Sequence, residues 1–171
     1  FILFNNSDFK TPSLVGRLTN QNLHGLPQAD YVIVTHPNFL SQAQRLGDLH
    51  IANGTSTHVV TTSDIYNEFS SGAQDATAIK RFMKMFYDRA NGDPVLQPKN
   101  LLLFGDATYD PKGRMPNNNY YVPTYEFVYS EDHLNAMVSD DYFGILGNNG
   151  SIASSDLMQI GVGRLLISNN D

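Results

Sequence analysis

Among the 171 residues the groups able to do chemistry are carboxylates, hydroxyls and imidazoles, because the chain contains no Cys. A cysteine nucleophile, a disulfide scaffold and a Cys-ligated zinc within these residues are therefore excluded. The densest acidic material is Asp106, Asp110, Asp140 and Asp141. No cofactor is required by the sequence, but a hard cation such as Ca²⁺ accepts carboxylates together with backbone carbonyls, so one reading of these four is a structural calcium site. The stretch from Asp106 to Asp110 offers oxygen ligands but lacks the D-x-[DN]-x-[DN]-G pattern of an EF-hand. Two other readings stand beside it. Asp106 and Asp140 accept backbone N–H groups within their own loops, or the carboxylates form an acidic pocket for a basic peptide side chain.

Five imidazoles occur, at His24, His36, His50, His58 and His133, without the His-x-x-x-His or His-Glu spacing that directs two ligands to one metal. Each is expected to be structural or solvated. His36 is the exception to inspect, since it follows a core strand, although Pro37 after it equally suits a polar residue shaping a strand-to-helix turn. Ser63, Ser70 and Ser71 have no His at a motif-like distance, which argues against a serine nucleophile. Neither G-x-G-x-x-G nor G-x-x-x-x-G-K-[ST] is present, so the sequence requires no nucleotide cofactor. Sequons at Asn5, Asn53 and Asn149 are short enough to arise by chance and decide nothing alone.

The elements that must position these groups alternate in type. Tyr31 to Val34 and His58 to Thr62 are β-branched runs, and Asn100 to Phe104 is an uninterrupted apolar one. Runs without alternation are expected of strands covered on both faces of a parallel sheet. Between the first two, Phe39, Ala43, Leu46 and Leu49 recur at helical spacing and Gly54 ends the helix. Between the second and third, Asp75 is placed to cap a helix carrying Ile79, Phe82, Met83 and Phe86. Strand, helix, strand, helix, strand makes a doubly wound α/β core with a mainly parallel sheet. Residues 1–30 read as an irregular or edge-strand lead-in, broken by Pro12 and Pro27. Ala107 to Tyr121 reads as a long surface loop, Tyr121 to Tyr125 as an edge strand because it contains Pro123, and Ser139 to Gly144 as an acidic-aromatic turn. From Leu157 to Gly163 apolar and small residues alternate, and Gly161 and Gly163 allow a close backbone neighbour. In such sheets the ligand crevice lies beyond the carboxyl ends of the strands, at Thr35-His36, Thr62-Ser63 and Gly105-Asp106.

With 41% hydrophobic and 11% aromatic residues there is ample core material, which excludes wholesale disorder. The apolar runs of four or five residues fall far short of the roughly 20 that span a bilayer. Seventeen Asp plus Glu against eleven scattered Lys plus Arg leave a net charge of −6, which excludes broad phosphate-backbone binding. Nucleic acid is not an expected partner. Phe1 in place of Met, together with the helix-capping cluster Ser168-Asn169-Asn170-Asp171 and no helix after it, predicts a processed or excised piece.

The segments Tyr31-Val-Ile-Val-Thr-His-Pro37, Asp64-Ile-Tyr-Asn-Glu-Phe-Ser70, Leu101-Leu-Leu-Phe-Gly-Asp106, Ser139-Asp-Asp-Tyr-Phe-Gly144 and Ile160-Gly-Val-Gly-Arg164, in that order, resemble the first half of a gingipain-type cysteine peptidase domain. Asn20 to His24 and Tyr66 to Gly72 are similar to the sortase-like members associated with type IX secretion. The resemblance spans about residues 18–171. It implies that residues 31–171 are the N-terminal, flavodoxin/Rossmann-like lobe of a caspase-like fold, with Cys and a Gly-His-Gly histidine in a second lobe. Neither motif is present here, so no catalytic residue carries over and this piece alone is expected to be inactive. The implied partners are that C-terminal lobe, secreted cargo whose sorting domains are cleaved, and type IX secretion components at the outer membrane and cell surface. Asp106, Asp110, Asp140, Asp141 and His36 are the expected substrate-side or cation-binding edge. The alternative is a stand-alone flavodoxin-like protein-binding module without catalysis.

Overall fold

The computed structural model describes residues 5, 7, 9–14, 16–116, 118–127, 137–148, 150, 152 and 156–169. His133, Asn149 and the last two residues of the Ser168 to Asp171 cluster lie outside them. A four-stranded, wholly parallel sheet organises the chain. Its strands are β1 (Tyr31–Thr35), β2 (Thr57–Thr61), β3 (Asn100–Phe104) and, after two short intervening strands, β6 (Gly161–Leu165), in the spatial order β2-β1-β3-β6. The intervening β4 (Tyr125–Glu126) and β5 (Val138–Ser139) form a separate antiparallel pair. Helices α1 (Leu40–Ala52), α2 (Thr62–Phe69) and α3 (Ala76–Arg89) cover the sheet.

Alternation within β1 and β3 sorts their side chains into two cores. Val32, Val34, Leu101 and Leu103 pack with Ile65, Ile79, Phe82, Met83 and Phe86 under α2 and α3. Ile33, Leu102 and Phe104 pack with Phe39 and Ala43 under α1. This is the expected three-layer, doubly wound architecture, and the unbroken apolar runs are explained by burial on both faces.

Several local features follow from side-chain chemistry. Asp75 caps α3 as expected, accepting the Thr77 N–H at 2.8 Å. Gly54 takes the left-handed turn after α1 with φ +84°. Leu49, expected on the buried face of α1, is exposed. Its place against the sheet belongs to Gly47, where an added Cβ would sit 2.5 Å from Val59 Cγ2. The absent side chain there allows the helix to approach β2 closely.

Three elements differ from the sequence reading. Helix α2 begins directly from β2, because Thr61 Oγ1 accepts the Asp64 N–H at 3.2 Å and donates to Asp64 Oδ2 at 2.6 Å. A strand end thus serves as the helix cap, so the capping signal Thr61-x-x-Asp64 begins inside the run that reads as a strand. The edge strand expected over Tyr121 to Tyr125 is only Tyr125–Glu126, because the Val122 and Pro123 carbonyls are taken by Arg164 rather than by a ladder. The small-residue alternation near Gly161 proves to be the fourth parallel strand. Gly161 does receive a close neighbour, Asn100 Oδ1 at 2.9 Å from an added Cβ, whereas Gly163 has nothing within 4 Å.

Among the described residues before β1 no strand is present; a single 3₁₀ turn spans Leu23–Gly25. The turn is held to α2 by Glu68. The Leu23 N–H donates to Glu68 Oε1 at 2.6 Å and Gln21 Nε2 donates to the same oxygen at 3.0 Å, while His24 Nδ1 lies 2.6 Å from Oε2. The His24 ring stacks on Phe69 at 4.4 Å. Burial raises the Glu68 carboxyl, but the donors from Leu23, Gln21 and His24 outweigh it and hold the group down at about 2. A carboxylate with a depressed native pKa stabilises the fold at pH values above its unfolded pKa, and that contribution disappears as pH falls toward the native value. Urea unfolding should therefore show wild type more stable than Glu68→Gln by about 1–2 kcal/mol at pH 6, the shift being discounted for a partly exposed side chain. The gap should close between pH 5 and pH 2. A difference that does not change over this window would show that Glu68 acts through shape rather than charge.

Candidate functional site

Beyond the carboxyl ends of β3 and β6 the backbone opens into a cleft of about 420 Å³. The position matches the place where open parallel sheets bind ligands. Its walls include Thr108 and Tyr109 from the loop after β3, Thr124 before β4, Val138 and Ser139 of β5, and Leu166 just past β6. Asp140 and Arg164 form part of the lining as well.

Arg164 organises the site. Its Nε donates to Asp140 Oδ2 at 2.7 Å and its Nη2 donates to Asp140 Oδ1 at 2.8 Å, a two-pronged pair. The remaining donors reach the carbonyls of Gly105, Val122 and Pro123, each at 2.9 Å. All five guanidinium N–H groups are thereby used, on a side chain only 9% exposed. Thr124 Oγ1 donates to Asp140 Oδ1 at 3.0 Å. One residue on β6 thus ties together the end of β3, the segment before β4 and the turn after β5.

The long loop between Gly105 and Val122 is closed at its base. The Asp106 N–H donates to the Ile167 carbonyl at 2.9 Å, and the Asp106 carbonyl accepts the N–H groups of Tyr121 and Val122. Gly105 has φ +154°, and an added Cβ would lie 2.8 Å from Val122 Cγ2, so glycine is required where the chain leaves the sheet.

Of the residues singled out in the sequence, Asp140 alone lines the cleft. Asp106 Oδ1 accepts the Ala107 N–H at 2.8 Å. Asp110 Oδ2 accepts the Met115 N–H at 2.6 Å, inside the loop. Asp141 opens the 3₁₀ turn Asp141–Gly144, and its N–H donates to Ser139 Oγ. His36 lies at the end of β1, where Nδ1 accepts the Asn38 N–H at 3.2 Å and the ring meets Tyr121 edge-on at 5.2 Å. Burial lowers its pKa, favouring the neutral ring that accepts this hydrogen bond. Among the described residues no three of His, Asp and Glu converge as metal ligands. The carboxylates of Asp106 and Asp110 accept N–H groups of their own loop, and that of Asp140 accepts from Arg164 and Thr124.

Sequence reasoning missed Arg164, Thr108, Thr124, Val138 and Leu166 as site residues. Arg164 carried one signal, a lone cation inside an otherwise apolar and glycine strand. The others lie in turns or at strand ends whose meeting depends on the path of the loop.

Comparison with known proteins agrees with this architecture. The family model described as "Peptidase family C25" matches residues 24–171. No curated protein matches the chain. Among solved structures, one titled "Crystal structure of dimeric latent PorU from Porphyromonas gingivalis" is similar at 34% identity with a TM-score of 0.80. The match covers 95% of this chain and 16% of that one. By its sequence over residues 24–171 and by its fold, the chain belongs to peptidase family C25, the gingipain family.

Proposed function

We propose that these residues are the non-catalytic, N-terminal lobe of a C25 cysteine endopeptidase domain, buttressing a catalytic lobe and lining part of its substrate side with the carboxyl edge of the sheet. The observation that carries this reading is the family match over 24–171 in a sequence without a single Cys. A thiolate and its imidazole must lie within hydrogen-bond reach of one another, so the reactive pair comes from residues other than these. The similarity to PorU supports a whole protein that removes C-terminal sorting domains from secreted cargo as a sortase of type IX secretion, at the outer membrane and cell surface. Among the described residues no helix is long and apolar enough to cross a membrane.

The test is direct. The purified 171-residue chain, incubated with a mixed peptide library, should produce no cleavage above buffer with or without a thiol alkylating agent. Sustained cleavage by the chain would place the chemistry on its own hydroxyls or carboxylates and overturn the assignment.

A further inference from the structure

The cleft beyond β3 and β6 has a mainly apolar wall, and its two charged residues are paired with each other. We propose that it is a binding subsite for an uncharged stretch of extended polypeptide, its carbonyl oxygens held by the Thr108 and Ser139 hydroxyls and a small or aliphatic side chain resting on Val138 and Leu166. The inference rests on the peptidase-lobe reading and adds the chemical class of what the edge accepts.

Three observations carry it. First, the one full ion pair in the lining is closed on itself. Asp140 takes two guanidinium donors and the Thr124 hydroxyl, and Arg164 spends all five N–H groups on Asp140 and three carbonyls. An incoming Lys or Arg would find the Asp140 charge already neutralised and would have to approach Arg164 to reach it, while an incoming Asp or Glu would find no free guanidinium donor. A basic side chain in this cleft, one of the sequence-based alternatives, would have to compete with Arg164 for Asp140.

Second, two hydroxyls of the lining are half used. Thr108 Oγ1 accepts the Asp110 N–H at 3.2 Å and Ser139 Oγ accepts the Asp141 N–H at 3.2 Å. Neither donates its own proton to a described residue. A neutral donor of this kind suits a carbonyl oxygen, and consecutive peptide carbonyls supply such acceptors along an extended chain. Third, the apolar part of the wall is exposed: Val138 at 53% and Leu166 at 73%. These side chains stand next to the donors rather than in the core, and covering them with an aliphatic group is favourable.

The test uses four fluorescently labelled, end-capped peptides identical except for a central Val, Ser, Lys or Glu, titrated against the 171-residue chain by anisotropy, with amide shifts followed by NMR. The Val peptide should bind best and the Ser peptide next, both shifting Thr108, Ser139 and Leu166, and the Lys and Glu peptides should bind at least tenfold more weakly than the Val peptide. Leu166→Asp, which alters an exposed side chain and leaves the Asp140–Arg164 pair intact, should raise the affinity of the Lys peptide about tenfold and remove the advantage of the Val peptide. Equal or tighter wild-type binding of the Lys peptide would overturn the proposal, as would shifts away from these residues or no binding by any peptide. Cleavage of the peptides by the chain would instead overturn the non-catalytic reading, and leaves the binding order to judge the subsite.

Discussion

Arg164→Met is expected to lower the unfolding free energy by about 3 kcal/mol, the lower end of the range for breaking one partner of a buried ion pair. The substitution leaves the Asp140 carboxylate, with its side chain 26% exposed, facing an aliphatic group. It also strands the carbonyls of Gly105, Val122 and Pro123, none of which has a replacement donor of the same reach. Arg164→Lys should recover less than half of the loss, because three donors on a flexible stem cannot reproduce a planar fork that reaches four residues. Asp140→Asn should be milder than Arg164→Met, since it keeps an oxygen for the guanidinium and leaves the carbonyls of Gly105, Val122 and Pro123 paired, although the Arg164 charge then loses its counter-ion. Urea denaturation of the four proteins checks the order. A loss below about 1 kcal/mol for Arg164→Met would mean that the pair is replaceable by water and does not hold the cleft.

Phe82→Ala is expected to be at least as severe, at about 3–5 kcal/mol. Phe82 is fully buried on the inner face of α3, edge-on to Phe69 at 5.4 Å and to Phe86 at 5.2 Å. Its ring joins two helices to the sheet, so truncation loses transfer energy, aromatic contact and packing at once. The instructive control is Leu49→Ala, which should change stability by less than about 0.5 kcal/mol, because that side chain is 57% exposed. On the sequence pattern alone, both residues belonged to the buried faces of their helices. A large effect at Leu49 would show that the outer face of α1 is covered in solution.

The contrast between these two positions shows how far periodicity reaches. The i, i+3, i+4, i+7 pattern of Ile79, Phe82, Met83 and Phe86 is complete, and all four are buried. The pattern on α1 is sparser, and the approach of Gly47 to Val59 turns Leu49 outward. Periodicity reports which residues share a face, whereas the rotation of that face depends on the smallest residue at the contact. Helix α2 is masked for a related reason: its cap, Thr61, is simultaneously the last residue of a strand, so its capping signal with Asp64 overlaps a β-branched run.

At the site, the sequence by itself determined the class of fold, the absence of a cysteine nucleophile from these residues, and the edge of the sheet where a ligand crevice belongs. Those follow from local properties, namely unbroken apolar runs, helical spacing, composition and the rule that strand ends converge. Only the tertiary structure decided which polar groups meet there. Asp140 and Arg164 are 24 residues apart in the chain, and Gly105 and Arg164 are 59 apart. Whether a carboxylate is a ligand, a cap or one half of an ion pair depends on which donor the fold brings to it, and no spacing rule reaches across a loop of that length. Of the four carboxylates that read as one acidic cluster in sequence, only Asp140 became half of an ion pair, because a guanidinium from the fourth strand reached it, while Asp106 and Asp110 accept N–H groups within their own loop.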